Sequence, residues 1–173
     1  MPGPTIFTIG HSTRSSEEFI ALLLGHHVEL VVDVRTVPRS RRNPQFNRET
    51  LAQSLQAAGI GYEHHAELGG FRRPSPDSIN AGWRNASFRG YADYMQTAAF
   101  AAAVERLAKR ADHARPAVMC AEAVPWRCHR SLIADALVAR GISVEEIMSA
   151  TRRQPHVMTS FAHVEGTTIT YPG

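Results

Sequence analysis

Short apolar runs alternate with longer amphipathic stretches along most of the chain. Thr5-Ile6-Phe7-Thr8-Ile9 is rich in β-formers and ends at Gly10, which predicts a first strand. Ser15 and Glu18 have capping-box spacing, and the helix they open carries Phe19, Ile20, Leu22, Leu23 and Leu24 before Gly25. Leu30 to Val34 is apolar except for Asp33, the pattern of a strand covered on both faces. Pro38 and Pro44 interrupt the next segment. Asn47 is placed to cap a helix through Leu51 and Leu55 that ends near Gly59. Ile60 to His64 reads as a third strand. A long polar loop follows from Leu68 to Gly90, and a loop of that length in a compact domain is usually functional or disordered.

Ala92 to Arg110 is Ala-rich and reads as one helix. Ala117 to Cys120 is a fourth strand, Arg130 to Ala139 a helix ending at Gly141, and Val144 to Met148 a fifth strand. Gly166 lies between two short β-prone segments, Phe161–Val164 and Thr168–Tyr171, and suggests a hairpin. The repeated βα order predicts a three-layer α/β fold. Its sheet is expected to be mainly parallel and doubly wound, with about five strands and helices on both faces. One domain over 1–173 is expected, with a core over about 5–149 and a tail over 150–173.

Composition narrows the class. The 173 residues are 43% hydrophobic and 20% charged, ordinary for a globular chain large enough to bury a core. No apolar run has the length of a membrane span, and the first residues lack a signal-peptide pattern, so a cytoplasmic location is the expectation. Two cysteines make no secreted disulfide framework. Net charge is only +3, but its distribution is uneven. Arg35, Arg39, Arg41, Arg42 and Arg48 occupy a run with no acidic residue, and the planar guanidinium fork suits phosphate.

In open α/β sheets ligands bind beyond the carboxyl ends of the strands. His11 and Ser12 follow the first strand, and Asp33 and Arg35 end the second. His64, His65 and Glu67 follow the third, and Cys120 and Glu122 the fourth. The segment from Cys120 to Arg130 carries the most chemistry. Cys128 stands at a helix start beside Arg127, His129 and Arg130, where the helix dipole favours a thiolate or a bound anion.

The catalytic candidates are therefore Cys128, Cys120, His11, Asp33 and Glu122. Ser12, Arg35, Arg39, Arg41, Arg127, His129 and Arg130 are the ligand-binding candidates. Asp33 and Arg35 could equally form a structural ion pair, and Cys120 could be a buried apolar residue. His26 and His27 are expected at the surface, at the other end of the sheet. Trp83 and Trp126 are expected in loops, either stacking on a ring or closing over the core.

Four functions fit these residues. The first is binding or processing of a phosphate-bearing ligand, a nucleotide or nucleic acid. The second is a thiol enzyme with Cys128 as nucleophile, His11 or His129 as base, and Cys120 as resolving thiol. The third is a metal site using Cys120, Cys128 and His129, with His11 a further ligand. The fourth is a non-enzymatic interaction module docking through the long loop.

Several motifs occur together and in order: T-I-G-H-S at 8–12, V-D-V-R-x-x-P-x-S-R at 32–41, and Phe46. G-Y at 61–62, L-G-G at 68–70, Trp83, Phe88, Tyr91 and Tyr94 follow. C-A-E at 120–122 and C-H-R at 128–130 complete the set. By these the chain resembles the domain of unknown function 488 family. That resemblance implies a compact α/β fold and supplies no reaction. The tail after Ser149 matches nothing distinctive. V-V-D-V-R also resembles a rhodanese-like strand, although Arg127 lies one residue beyond the Cys-x5-Arg spacing of phosphatase-type loops.

Overall fold

The computed structural model describes residues 4–124 and 127–173. The expected βα order is present. The elements are β1 (Thr5–Gly10), α1 (Ser16–Gly25), β2 (Leu30–Asp33), α2 (Arg48–Ala57), β3 (Gly61–His64), α3 (Ala86–Tyr94) and α4 (Ala98–Arg110). They continue with β4 (Pro116–Cys120), α5 (Arg130–Ala139), β5 (Ser143–Ile147), β6 (Arg153–Pro155), β7 (His163–Glu165) and β8 (Thr168–Thr170). The main sheet has the order β3-β2-β4-β1-β5-β6. Five strands are parallel and β6 is antiparallel to β5. The sheet thus has six strands rather than about five. β6 is the additional one, an exposed edge strand of Arg153, Gln154 and Pro155 with no apolar pattern to betray it.

Alternation along the strands sorts side chains between two cores, as period-two geometry requires. Phe7, Ile9, Val31, Ala117 and Met119 pack with Phe19, Leu23, Leu51 and Leu55 of α1 and α2. Ile6, Val32, Val118 and Val144 pack on the other face with Tyr91, Phe100, Val104, Leu132 and Leu137 of α3, α4 and α5. This is the three-layer, doubly wound arrangement. Burying each of these large side chains contributes about 1.5–3 kcal/mol. Cys120 falls on the second face and points toward α5.

The capping box of α1 forms as expected, with Glu18 N donating to Ser15 Oγ at 3.1 Å and Ser15 N to Glu18 Oε1 at 3.3 Å. Asn47 precedes α2, but its side chain does not cap that helix; its Oδ1 accepts from Ser40 N at 2.8 Å and holds the Arg-rich loop instead. The expected helix 92–110 is two helices. α3 starts earlier, capped by Asn85, and Thr97 breaks the run by capping α4, its Oγ1 accepting from Phe100 N at 3.2 Å. The loop before them is correspondingly shorter. Trp83 closes over the core, packed edge-on against Phe88 and Phe161 and tilted against Tyr171. Trp126 lies outside the described residues.

His26 is buried, not at the surface. The chain beyond β5 folds back over the end of α1, so that Nε2–H of His26 donates to Ser149 O at 2.6 Å. The tail pairs as the expected hairpin, Glu165 opposite Thr168, with Gly166 in the left-handed region at φ +62°. Among the described residues no helix is long and apolar enough to cross a membrane.

Candidate functional site

β1, β4 and β2 end side by side, and the segments leaving them are laced together. Gly10 stands opposite Cys120, and Asp33 opposite Met119. Beyond the register, His11 N donates to Cys120 O at 2.9 Å and Ser12 N to Ala121 O at 3.0 Å. The loop after β4 then folds directly over Gly10. A Cβ there would fall 1.5 Å from Glu122 O, so only glycine lets the two backbones meet. Gly70 plays the matching part on the other side, since a Cβ at that position would lie 2.7 Å from His129 Nδ1.

Arg130 opens α5 with its side chain wholly buried. Nη1 donates to Cys120 Sγ at 2.7 Å and to Glu122 O at 2.6 Å, while Nη2 donates to Glu146 Oε1 at 2.7 Å and Ala123 O at 3.2 Å. Thr8 Oγ1 in turn hydrogen-bonds Glu146. Burial alone would raise the Cys120 thiol. A hydrogen bond from Cys128 and the Arg130 charge outweigh it and bring the thiol below its ordinary value. Burial pushes the Cys128 thiol well up, and the adjacent Cys120 reinforces the effect. Of the two thiols, Cys120 is therefore the one whose ionised form its surroundings favour, and Cys128 the one whose protonated form they favour. The backbone donor of Arg130 does reach Cys128 Sγ, at 3.4 Å, but does not offset burial.

His129 sits between this pair and β2. Its Nε2–H donates to Val34 O at 3.0 Å, which leaves Nδ1 as an acceptor 3.6 Å from Cys128 Sγ. Burial lowers its pKa to about 4, so it is neutral at neutral pH. The thiol of Cys128 thus has two neighbours able to accept its proton, Cys120 Sγ and His129 Nδ1.

Asp33 and Arg35 form the ion pair that their spacing suggested. The carboxylate accepts Arg35 Nη2 at 2.7 Å, Arg35 Nε at 2.9 Å, Arg35 N at 3.0 Å and Tyr62 OH at 2.6 Å. Arg35 Nη2 also donates to Phe46 O at 2.8 Å. His11 stacks on Phe46, with Nδ1–H donating to Ser12 O at 2.8 Å and Nε2 3.5 Å from Arg35 Nη1. Burial lowers its pKa to about 4 as well. Two charges buried and fully hydrogen-bonded in this way hold the loop after β2 in place.

These groups surround a cavity of about 360 Å³. Cys120, Cys128 and His129 line it deep down, with Arg35 at one side; Arg39, Arg127, Glu122 and Phe71 are among its exposed members. Seven expected site residues therefore meet in one place. Asp33, His11 and Ser12 support it from behind Arg35. Arg41 is exposed and is not among the described residues lining the cavity. Arg130, also expected to bind ligand, directs Nη1 and Nη2 to Cys120, Glu122, Ala123 and Glu146, while its buried Nε has no hydrogen-bond partner among the described residues. His64 donates from Nε2 to Arg35 O at 2.7 Å, while His65 and Glu67 pair with Glu63 and Arg106. Among the described residues no group of three His, Cys, Asp or Glu side chains is placed to hold a metal ion.

Sequence reasoning passed over Glu146 and Phe71. Glu146 is one of two adjacent acids in β5, and the sequence does not say which of the two turns inward. Phe71 carried no signal, because a loop phenylalanine reads the same whether it packs or faces a ligand.

No curated protein and no solved structure matches the chain. A family model described as Domain of unknown function DUF488 matches residues 15–137, from the N-cap of α1 well into α5, and the chain belongs to that family.

Proposed function

We propose that the protein binds a phosphate-bearing ligand of nucleotide size in this cavity and processes it by thiol chemistry, with Cys120 as the nucleophile. The observation that carries the reading is the 2.7 Å contact of Arg130 Nη1 with Cys120 Sγ, deep in a cavity whose rim holds Arg39 and Arg127. A thiol beside a fixed cation ionises more readily and reacts as thiolate. Guanidinium groups at the rim supply planar forks that fit phosphate oxygens. Cys128 keeps its proton beside the thiolate and serves as hydrogen-bond donor to it. A cluster of titratable groups perturbed by burial and specific partners is more typical of a working site than of a packed core.

The test is iodoacetamide labelling at neutral pH, mapped by mass spectrometry, with and without inorganic phosphate and a nucleoside monophosphate. Cys120 should label ahead of Cys128, and the nucleotide should slow that labelling. Slow labelling of both thiols would remove the thiol chemistry. Fast labelling of Cys120 that neither phosphate compound slows would remove the phosphate-bearing ligand.

A further inference from the structure

We infer that the ligand is a single-stranded nucleic acid, one nucleotide of which enters the cavity while its neighbours run along the Arg-rich loop. The inference rests on the phosphate reading above and names its substrate class. One phosphate in the cavity is served by Arg39 and Arg127. Arg41 and Arg42 are exposed on the same loop outside it, and no acidic residue stands between Arg35 and Arg48. Among the described residues none of Arg39, Arg41 and Arg42 takes part in an ion pair. A free nucleotide leaves these two cations without an anion, whereas a polymer brings a phosphate at every residue.

The loop is built to hold such a register. Ser40 N donates to Asn47 Oδ1 at 2.8 Å, Asn43 N to Ser40 Oγ at 3.0 Å, and Arg48 N to Pro38 O at 2.9 Å. Its arginines are therefore presented from a folded turn rather than a free tail.

Phe71 supplies the second observation. Its side chain is at the cavity mouth and 81% exposed, while its backbone N is tied to Thr36 Oγ1 at 3.2 Å. A fixed aromatic ring beside a row of cations is the arrangement on which unpaired bases stack. The cavity volume is at the small end of the range for small-molecule pockets, roughly 300–1,000 Å³. It takes one nucleotide and not a base pair, so a residue that reaches Cys120 must first leave any duplex stack.

The experiment is fluorescence anisotropy of labelled ribo- and deoxyribo-oligonucleotides of twelve residues, single-stranded and duplex, over a salt series. Single strands of at least one sugar type should bind at least tenfold tighter than the duplex and than a mononucleotide. Three phosphate contacts, one in the cavity and one each at Arg41 and Arg42, predict a slope of log affinity against log salt of about −2.1, at about −0.7 per contact. Arg41→Ala/Arg42→Ala should flatten that slope by about 1.4. Phe71→Ala should weaken binding by at least about fivefold, the smaller end of the stacking range. Lys109→Ala/Arg110→Ala, at the end of α4 and outside the cavity lining, should cost far less. Single strands bound no more tightly than a mononucleotide, duplex bound as tightly as single strand, or a slope unmoved by the Arg41/Arg42 change would each overturn the inference. Mononucleotide protection of Cys120 persisting in that case leaves the phosphate reading standing; its absence as well removes both.

Discussion

The guanidinium of Arg130 links Cys120 to Glu146, standing 2.7 Å from the sulfur through Nη1 and 2.7 Å from the carboxylate through Nη2. One buried cation thus contacts both a thiol and a carboxylate. The ionisation of Cys120 depends on that division. Arg130→Lys keeps the charge but cannot reach both groups, and alkylation of Cys120 at pH 7 should slow by about tenfold or more, the effect of losing one charged hydrogen bond of about 1.5–3 kcal/mol. Glu146→Gln should act in the opposite sense, leaving Cys120 as the one anion beside Arg130 and lowering its proton affinity further. Rate against pH for both variants and the wild type reads the two directions. Equal shifts in one direction would show that the pair does not govern the thiol.

His11 and His129 predict how stability responds to acid. Burial lowers both from an ordinary 6.5 to about 4. Between those values the unfolded chain binds protons that the folded chain refuses, so stability is complete above about pH 6.5 and falls as pH drops toward 4. Each histidine contributes up to about 3 kcal/mol to that loss. His129→Gln should remove roughly half of it. Urea midpoints measured from pH 4 to pH 8 on the wild type and the variant check the prediction.

The tail is tied to α5 at one residue. Asp135 is fully buried, and its carboxylate accepts from His156 Nε2 at 2.7 Å, Thr159 Oγ1 at 2.7 Å, Thr159 N at 3.1 Å and Tyr171 OH at 2.8 Å. Asp135→Ala strands four donors and should destabilise by about 3 kcal/mol or more. Tyr171→Phe removes one bond and should cost about 1–2 kcal/mol. Hydrogen exchange should rise over residues 156–171 in both variants, with β1 to β4 much less affected.

Two glycines at the site separate folding from chemistry. Gly10→Ala drives a Cβ into the backbone of Glu122, which cannot move without undoing the loop, and should cost about 3 kcal/mol or more. Gly70→Ala meets the His129 ring, which can turn. Its stability should change by about 1 kcal/mol or less, while nucleotide protection of Cys120 is lost as the ring enters the cavity. Thermal melts and labelling on the two variants distinguish the outcomes.

The hydrophobic period along the chain was sufficient for the α/β class, for five parallel strands and for the capping box at Ser15, because those features depend on neighbours a few residues apart. It also placed the candidate residues at one edge of the sheet, since strand ends and helix starts carry them there whatever the strand order. It did not separate α3 from α4, where Thr97 competes with a run of good helix formers, nor find β6, whose residues gain their place only by pairing with β5.

The surroundings of each site residue depend on contacts between distant segments. A helix start next to two arginines gave Cys128 the appearance of the thiolate. Arg130 instead turns inward to Cys120 and Glu146, ten and sixteen positions away, and Cys128 is buried. Charge, desolvation and hydrogen bonding act through space, so the ordering of two thiols depends on which one the buried guanidinium touches. The local sequence determined which groups could be present at the strand ends; the fold alone decided which of them share a cation, which face the cavity and which are consumed in holding it.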